Sequence, residues 1–290
     1  MTKYFTAALL TLSLATSAIA DPSGAAFLKI PNGAAEISLG MSGVSHSRGS
    51  SATFWNPARA GLEGANLGLQ FFRWFGDGRG TFGAASFETK WGGVAAYLFD
   101  LGVDDFEARD RPGPPLATFT LHQSVGAVAA SLKVPHGVRI GLAVKGTIED
   151  IYGDIAAQFP LLDAGASWSS GKWSAGLMGA NLPINDRMSS PPPMTMRAGI
   201  SRRDAYDDFS LMDVAEVTLV RNLKGTAHLA LEAGYRERFF LRGGAAVSGD
   251  FIRPTFGFGF ESSPYRIDAA TALYDEALGS TWRIGLGYSI

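Results

Sequence analysis

The sequence predicts an all-β chain, an antiparallel transmembrane β-barrel of about 14 strands. Three observations carry this. Apolar side chains alternate with small or charged ones over many short segments. The connections between those segments sort by length onto two rims. The chain opens with an export-like segment and is otherwise rich in glycine (36 residues) and free of cysteine.

The alternation is clearest at the end of the chain. Trp282, Ile284, Leu286, Tyr288 and Ile290 fall on one face, and Arg283, Gly285, Gly287 and Ser289 on the other. Ala227, Leu229, Leu231, Ala233 and Tyr235 oppose His228, Glu232, Gly234 and Arg236 in the same way, and Ile252, Phe256, Phe258 and Phe260 oppose Arg253, Thr255, Gly257 and Glu261. In a soluble sandwich the apolar face is the core. In an outer-membrane barrel it meets lipid, and the other face lines the lumen. Periodicity alone leaves both arrangements open.

Taken in order, residues 1–20 read as a signal peptide. Lys3 is its charged start, an apolar stretch follows, and Ala18-Ile19-Ala20 has the small-x-small form of a cleavage site. The mature chain then begins near Asp21 and is exported. Residues 21–64 are irregular, and residues 65–290 hold the strands. Strands are expected near 65–75, 81–90, 92–99, 118–134, 138–149, 160–168, 172–181, 194–201, 212–221, 226–236, 239–248, 252–261, 264–273 and 281–290. Most match the roughly 9–11 residues of a tilted membrane strand. Connections after even-numbered strands are tight, with 202–211 as the exception. The long ones, 100–117, 150–159, 182–193 and 274–280, follow odd-numbered strands. One short-turned and one long-looped rim is the asymmetry of an outer-membrane barrel, and both termini fall on the short-turned, periplasmic side. Phe71, Phe72, Trp74, Phe75, Trp91, Tyr97, Phe99, Trp168, Trp173, Tyr235, Phe239, Phe240, Tyr265 and Trp282 lie near strand ends, where interfacial girdles form. Arg283, Gly285, Tyr288 and Ile290 make a polar-x-Gly-x-x-aromatic-x-hydrophobic ending. It looks like the signal by which the barrel-assembly machinery selects its clients, with Ile290 departing from the usual terminal Phe or Trp.

Residues 24–62 carry a second likeness. Ala26-Phe27-Leu28-Lys29-Ile30, Gly33-Ala34, Leu39-Gly40 and Phe54-Trp55-Asn56-Pro57-Ala58 follow one another in that order. The pattern resembles the N-terminal region of the PorV/PorQ family of outer-membrane proteins, related to FadL-type fatty-acid transporters. Two places depart from it: Arg59-Ala60-Gly61-Leu62 replaces a simple Gly-Leu, and His46-Ser47-Arg48-Gly49 stands where an acidic segment is usual. The resemblance implies a FadL-like barrel of fourteen strands with residues 21–64 folded into the lumen as a hatch. Phe54, Trp55, Asn56, Pro57 and Ala58 would anchor that hatch.

Composition and motifs limit the chemistry. A cysteine-free chain has neither disulfides nor thiolate metal sites. A net charge of -2 gives no electrostatic footprint for nucleic acid. His46, His122, His136 and His228 are isolated in sequence, and neither a Gly-x-Ser-x-Gly elbow nor a His-Glu-x-x-His run occurs. Asp100, Asp104, Asp105, Glu107 and Asp110 lack EF-hand spacing and alternate with Arg109 and Arg111, so they read as a solvated loop. No catalytic residue, metal or cofactor is expected. Beyond outer-membrane lipid and the assembly machinery, the partners expected are secretion-system proteins or hydrophobic ligands. The main expectation is a non-enzymatic barrel of PorV/PorQ type, assisting secretion or surface attachment. The alternative is a FadL-like channel for hydrophobic small molecules, and a third class is an outer-membrane enzyme.

Overall fold

A computed structural model describes residues 24–108, 113–151, 153–184, 191–249, 251–275 and 278–290. The expected signal peptide lies outside the described residues. Fourteen strands form one closed antiparallel barrel in sequence order. They are β1 (Asn66–Arg73), β2 (Arg79–Thr89), β3 (Gly92–Ala108), β4 (Ala117–Val134), β5 (Val138–Ile151), β6 (Asp154–Ser170), β7 (Trp173–Pro183), β8 (Thr195–Tyr206), β9 (Phe209–Val220), β10 (Thr226–Tyr235), β11 (Phe239–Ser248), β12 (Phe251–Ser262), β13 (Tyr265–Leu273) and β14 (Ser280–Ser289). β14 closes on β1, from Asn66 opposite Ser289 to Arg73 opposite Trp282. Closure leaves no unpaired edge, the condition for a sheet in hydrocarbon.

The open choice between sandwich and barrel is settled by where the alternating rows point. On β10, Leu229 and Leu231 are 61% and 54% exposed on the outer surface, while His228 and Glu232 are buried in the lumen. The apolar rows are therefore the outer face.

Three connections differ from expectation. Residues 202–211 are not a long connection: β8 and β9 run on to a turn at Asp207-Asp208, where Asp207 has φ 42°. Charged Arg202, Arg203 and Asp204 hide the period there. Residues 150–159 shrink to a connection at 152–153, and 100–117 is largely strand, because β3 and β4 continue past the outer ends of their neighbours. The short-turned rim is thus more uniform than the sequence suggests. A second correction concerns the aromatics. Phe71, Trp91, Trp168, Trp173, Phe239, Tyr265 and Trp282 are exposed on the outer surface, but Phe72, Tyr97, Phe99 and Phe240 are buried in the lumen. Position along a strand suggested a girdle, whereas parity within the strand decides the face.

Residues 24–65 lie inside the barrel. They hold two short helices, α1 (Ala34–Ser38) and α2 (Ala52–Trp55), and 3-10 turns at Ala26–Lys29, Gly49–Ser51 and Pro57–Arg59. The segment leaves β1 at the short-turned rim. Its first described residue, Gly24, donates its N–H to Pro191 O at the opposite rim, 3.1 Å away. It therefore runs the height of the lumen.

Candidate functional site

The motif 54–58 sits at the centre of the enclosed segment. Trp55 is 1% exposed, and its Nε1–H donates to Asn32 O at 2.7 Å. Its ring lies over Gly43, where a Cβ would come within 2.4 Å of it. Asn56 is fully buried and ties three things together. Its Nδ2 donates to Val44 O at 3.1 Å and to Ala166 O of β6 at 3.0 Å, while its Oδ1 accepts from Ala58 N at 3.0 Å and caps the Pro57–Arg59 turn. Pro57 fits the first position of that turn because it needs no N–H there. The wall accommodates this backbone with glycines: a Cβ on Gly141 would meet Pro57 and Ala58 at 2.4 Å, and one on Gly165 would meet Asn56 Oδ1 at 2.1 Å. Phe54, by contrast, points into an aromatic group, edge-on to Phe82 at 6.0 Å and Tyr97 at 5.8 Å.

The strands hold the segment through side chains that the sequence reading did not single out. Glu216 Oε2 accepts from the N–H groups of Gly43 and Val44 at 2.8 and 2.9 Å. Arg139 donates to Ala58 O at 3.0 Å and Ala60 O at 2.8 Å. Thr255 Oγ1 accepts from Gly40 N at 2.9 Å and donates to Ser38 O at 3.0 Å. All three occupy inward rows, so parity was the available signal. His228, noted from sequence as a lumen residue, has Nδ1 2.7 Å from Gly40 O and Nε2 3.0 Å from Thr218 Oγ1. Both ring nitrogens are engaged, and the histidine is a clamp on the segment.

Between the loop rim and this anchor, the inner wall of β1–β4 is apolar. Phe72, Phe82, Tyr97, Phe99, Leu101 and Val125 form one buried cluster. In a barrel with a polar interior these rows would be hydrophilic. Here they are covered by Phe27 and Ile30 from the enclosed segment, with Leu28 and Phe54 packed alongside. Phe27 stacks on Phe99 at 6.3 Å and 15° between ring planes. Arg197 closes the side of this chamber, its guanidinium 4.6 Å from the Trp55 ring.

Three solved structures share this architecture. The toluene transporter TodX of Pseudomonas putida matches with a TM-score of 0.58 at 12% identity, covering 88% of this chain and 96% of its own. The monoaromatic hydrocarbon channel CymD gives 0.56 at 13% identity, covering 89% and 97%. The outer membrane protein Omp33 of Acinetobacter baumannii gives 0.52 at 6%, covering 78% and 98%. No family model matches the sequence, and no curated protein does. The fold is that of an outer-membrane β-barrel. TodX and CymD support the FadL-like barrel among the expectations, whereas the likeness to the PorV/PorQ family rests on sequence motif alone.

Below the anchor the lumen is polar. Arg203 and Arg242 both pair with Glu232, at 2.6 and 2.5 Å, and Asp268 bridges Arg242 and Arg266 at 2.6 Å each. Glu232, expected beside His228 on the lumen face, is therefore committed to two arginines. Within the enclosed segment, burial raises the Glu36 carboxyl above its usual range. Burial, reinforced by Arg59, pushes His46 down to about 3, and burial takes Arg59 itself to about 10. Among the described residues no group of three or more His, Asp or Glu is placed to hold a metal ion. Of the acidic run read as a loop, Asp100 and Asp104 lie on β3, accepting from Ser124 and Thr120; Asp110 lies outside the described residues.

Three residues of the expected terminal signal lie on β14, and Ile290 follows its last residue. Arg283 is 1% exposed and faces inward, its guanidinium 4.5 Å from the Phe72 ring. Gly285 faces Gln70 and Ala34 in the lumen. Tyr288 is on the outer face, edge-on to Tyr265 at 5.5 Å, and Ile290 N–H donates to Ala65 O at 2.8 Å.

Proposed function

We propose that this chain is an outer-membrane channel for the uptake of hydrophobic small molecules, with residues 21–64 as its hatch and 65–290 as its barrel. Residues 1–20 direct export, and the end of β14 serves as the assembly signal. The observation that most supports uptake is the apolar chamber on the inner wall of β1–β4, filled by Phe27, Leu28 and Ile30 of the chain itself. A strand row facing a polar lumen has no reason to be aromatic unless something apolar is to sit there. The segment now supplies that group, and its displacement would free the chamber for cargo. That structures of similar fold include a toluene transporter and a hydrocarbon channel favours the same reading.

A second reading is the secretion-assisting role implied by the likeness to the PorV/PorQ family. It is favoured by how closely the segment fills the lumen among the described residues: the void between α1, Arg48 and Gln70 holds about 100 Å³. One experiment separates the two. Purified barrel is titrated with toluene while tryptophan fluorescence is followed, since Trp55 and Trp74 adjoin the chamber. Saturable quenching is expected. It should be strengthened several-fold in a Phe27→Ala/Ile30→Ala variant, which lightens the competing segment. No saturable binding in either, with heat-modifiable mobility intact, would overturn uptake and leave the secretion-assisting role.

A further inference from the structure

The chamber has a second wall. Beyond the apolar rows of β1–β4, strands β5–β8 carry Lys145, Asp163, Asn181 and Arg197, all buried. Lys145 pairs with Asp163 at 2.7 Å. The charge of Arg197 is opposed chiefly by Glu216 and then by Asp163. Two cations thus face two carboxylates, and this wall is polar without net charge.

Asn181 is placed there by a break in strand pairing. The register of β6 and β7 shifts between Leu162 and Ala164, so Ala180 and Asn181 both stand opposite Asp163. A bulge of this kind re-aims a side chain. Asn181 takes φ 60°, a left-handed value that asparagine tolerates better than most residues. Regular alternation would send one of the two outward, yet both are buried. Asn181 N–H donates to Asp163 Oδ1 and its Nδ2 to Pro193 O, each at 2.8 Å, which fixes the amide. Its Oδ1 has no partner.

Two atoms nearby are in the same condition. Arg197 lies over the Trp55 ring, a contact that uses no N–H donor, and its Nε–H has no acceptor. Asn32 gives its carbonyl to Trp55 Nε1, but its side-chain Oδ1 accepts nothing. Asn32, Asn181 and Arg197 line one void of about 20 Å³, and Phe27 lines it with them. That is room for one group the size of a water molecule. Buried polar atoms without partners are costly and rare. One donor and two acceptors around a small void, in a setting without net charge, match a hydroxyl, which both donates and accepts. A methyl group does neither. A carboxylate offers the asparagine oxygens nothing and brings a charge that this wall does not balance.

We infer that the cargo is a hydroxyarene, a single aromatic ring carrying a neutral hydroxyl, as in phenol or p-cresol. Its ring takes the place of Phe27, which stacks on Phe99 at 6.3 Å. Its oxygen projects past the ring edge into the void, accepts from Arg197 Nε–H and donates to an asparagine Oδ1. The inference rests on the uptake reading and narrows its cargo.

Barrel reconstituted in nanodiscs is titrated calorimetrically with p-cresol, toluene and benzoate, with empty nanodiscs subtracted. p-Cresol should bind about tenfold or more tighter than toluene, and tighter than benzoate. Arg197→Met removes the donor, and Asn32→Ala with Asn181→Gly removes both acceptors while keeping the left-handed backbone. Each should bring the two affinities to within about threefold of one another. Heat-modifiable mobility checks assembly; either variant suffices if the other fails to assemble, and the wild-type ratios decide alone if both fail. Saturable toluene binding with p-cresol no tighter would overturn the inference and leave uptake standing, the void then being a place for one water. Tighter benzoate, or a preference for p-cresol kept in an assembled variant, would overturn it as well. No saturable binding of any of the three would remove uptake itself.

Discussion

His46 is a histidine held where it cannot take a proton. It is buried, neither ring nitrogen has a hydrogen-bond partner, and Arg59, Arg48 and Arg203 outweigh Glu232 around it. In place it stays neutral down to about pH 3, whereas released into water it would protonate below about 6.5. Below that value the released segment binds one more proton than the inserted one. Insertion is therefore weakened as pH falls, by up to about 1.4 kcal/mol per unit. We expect opening events in a planar bilayer to become more frequent between pH 7 and 4.5, and His46→Gln to remove that acid-side rise. Glu36, with its carboxyl raised, acts in the opposite sense, because the released segment loses a proton first as pH increases. Only the difference between wild type and His46→Gln isolates the histidine. None of this was legible from residue type: His46 stood out in sequence only as a departure from an acidic pattern, and its environment comes from contacts across the lumen.

At the level of elements, the strands were legible and the enclosed segment only partly so. A strand repeats one simple instruction, apolar out and small or polar in, and ten residues suffice to show it. Where charges interrupted the row, as at Arg202, Arg203 and Asp204, the sequence reading stopped the strand early. The segment has no period, and its position depends on partners such as Glu216, Arg139 and Thr255 that are distant in sequence. The stretches 26–30, 33–34, 39–40 and 54–58 stood out through the resemblance, but only 54–58 was given a role, and nothing local showed that Phe27 and Ile30 fill the chamber. The anchor is testable as a unit. Replacing Phe54 and Trp55 together by alanine removes packing worth about 3–5 kcal/mol for the tryptophan alone. The strand ladder does not depend on it. Higher single-channel conductance with unchanged heat-modifiable mobility is the expected outcome, and an unassembled protein would instead make the segment part of the folding core.

For the whole molecule, everything rests on the seam between β1 and β14. Residues 287–290 contribute three of its register pairs, Gly68 with Gly287, Leu67 with Tyr288 and Asn66 with Ser289, together with the last hydrogen bond to Ala65. Deleting them opens an unpaired edge in lipid at the place where the assembly signal is proposed to lie. Loss of the folded, fast-migrating form from outer-membrane fractions is expected, and normal levels would remove 287–290 from that role. The same seam has a kinetic meaning for the segment it follows. The stopper is joined to the first strand at Ala65 and, once displaced, cannot diffuse away. Over so short a tether its effective concentration at the chamber is on the order of millimolar. On the proposed uptake reading, a cargo molecule competes with a resident rival that lowers its apparent affinity. When the cargo leaves in either direction the segment re-occupies the chamber, so the closed state is restored by the chain itself while the direction of net flow is set by the cargo's own gradient.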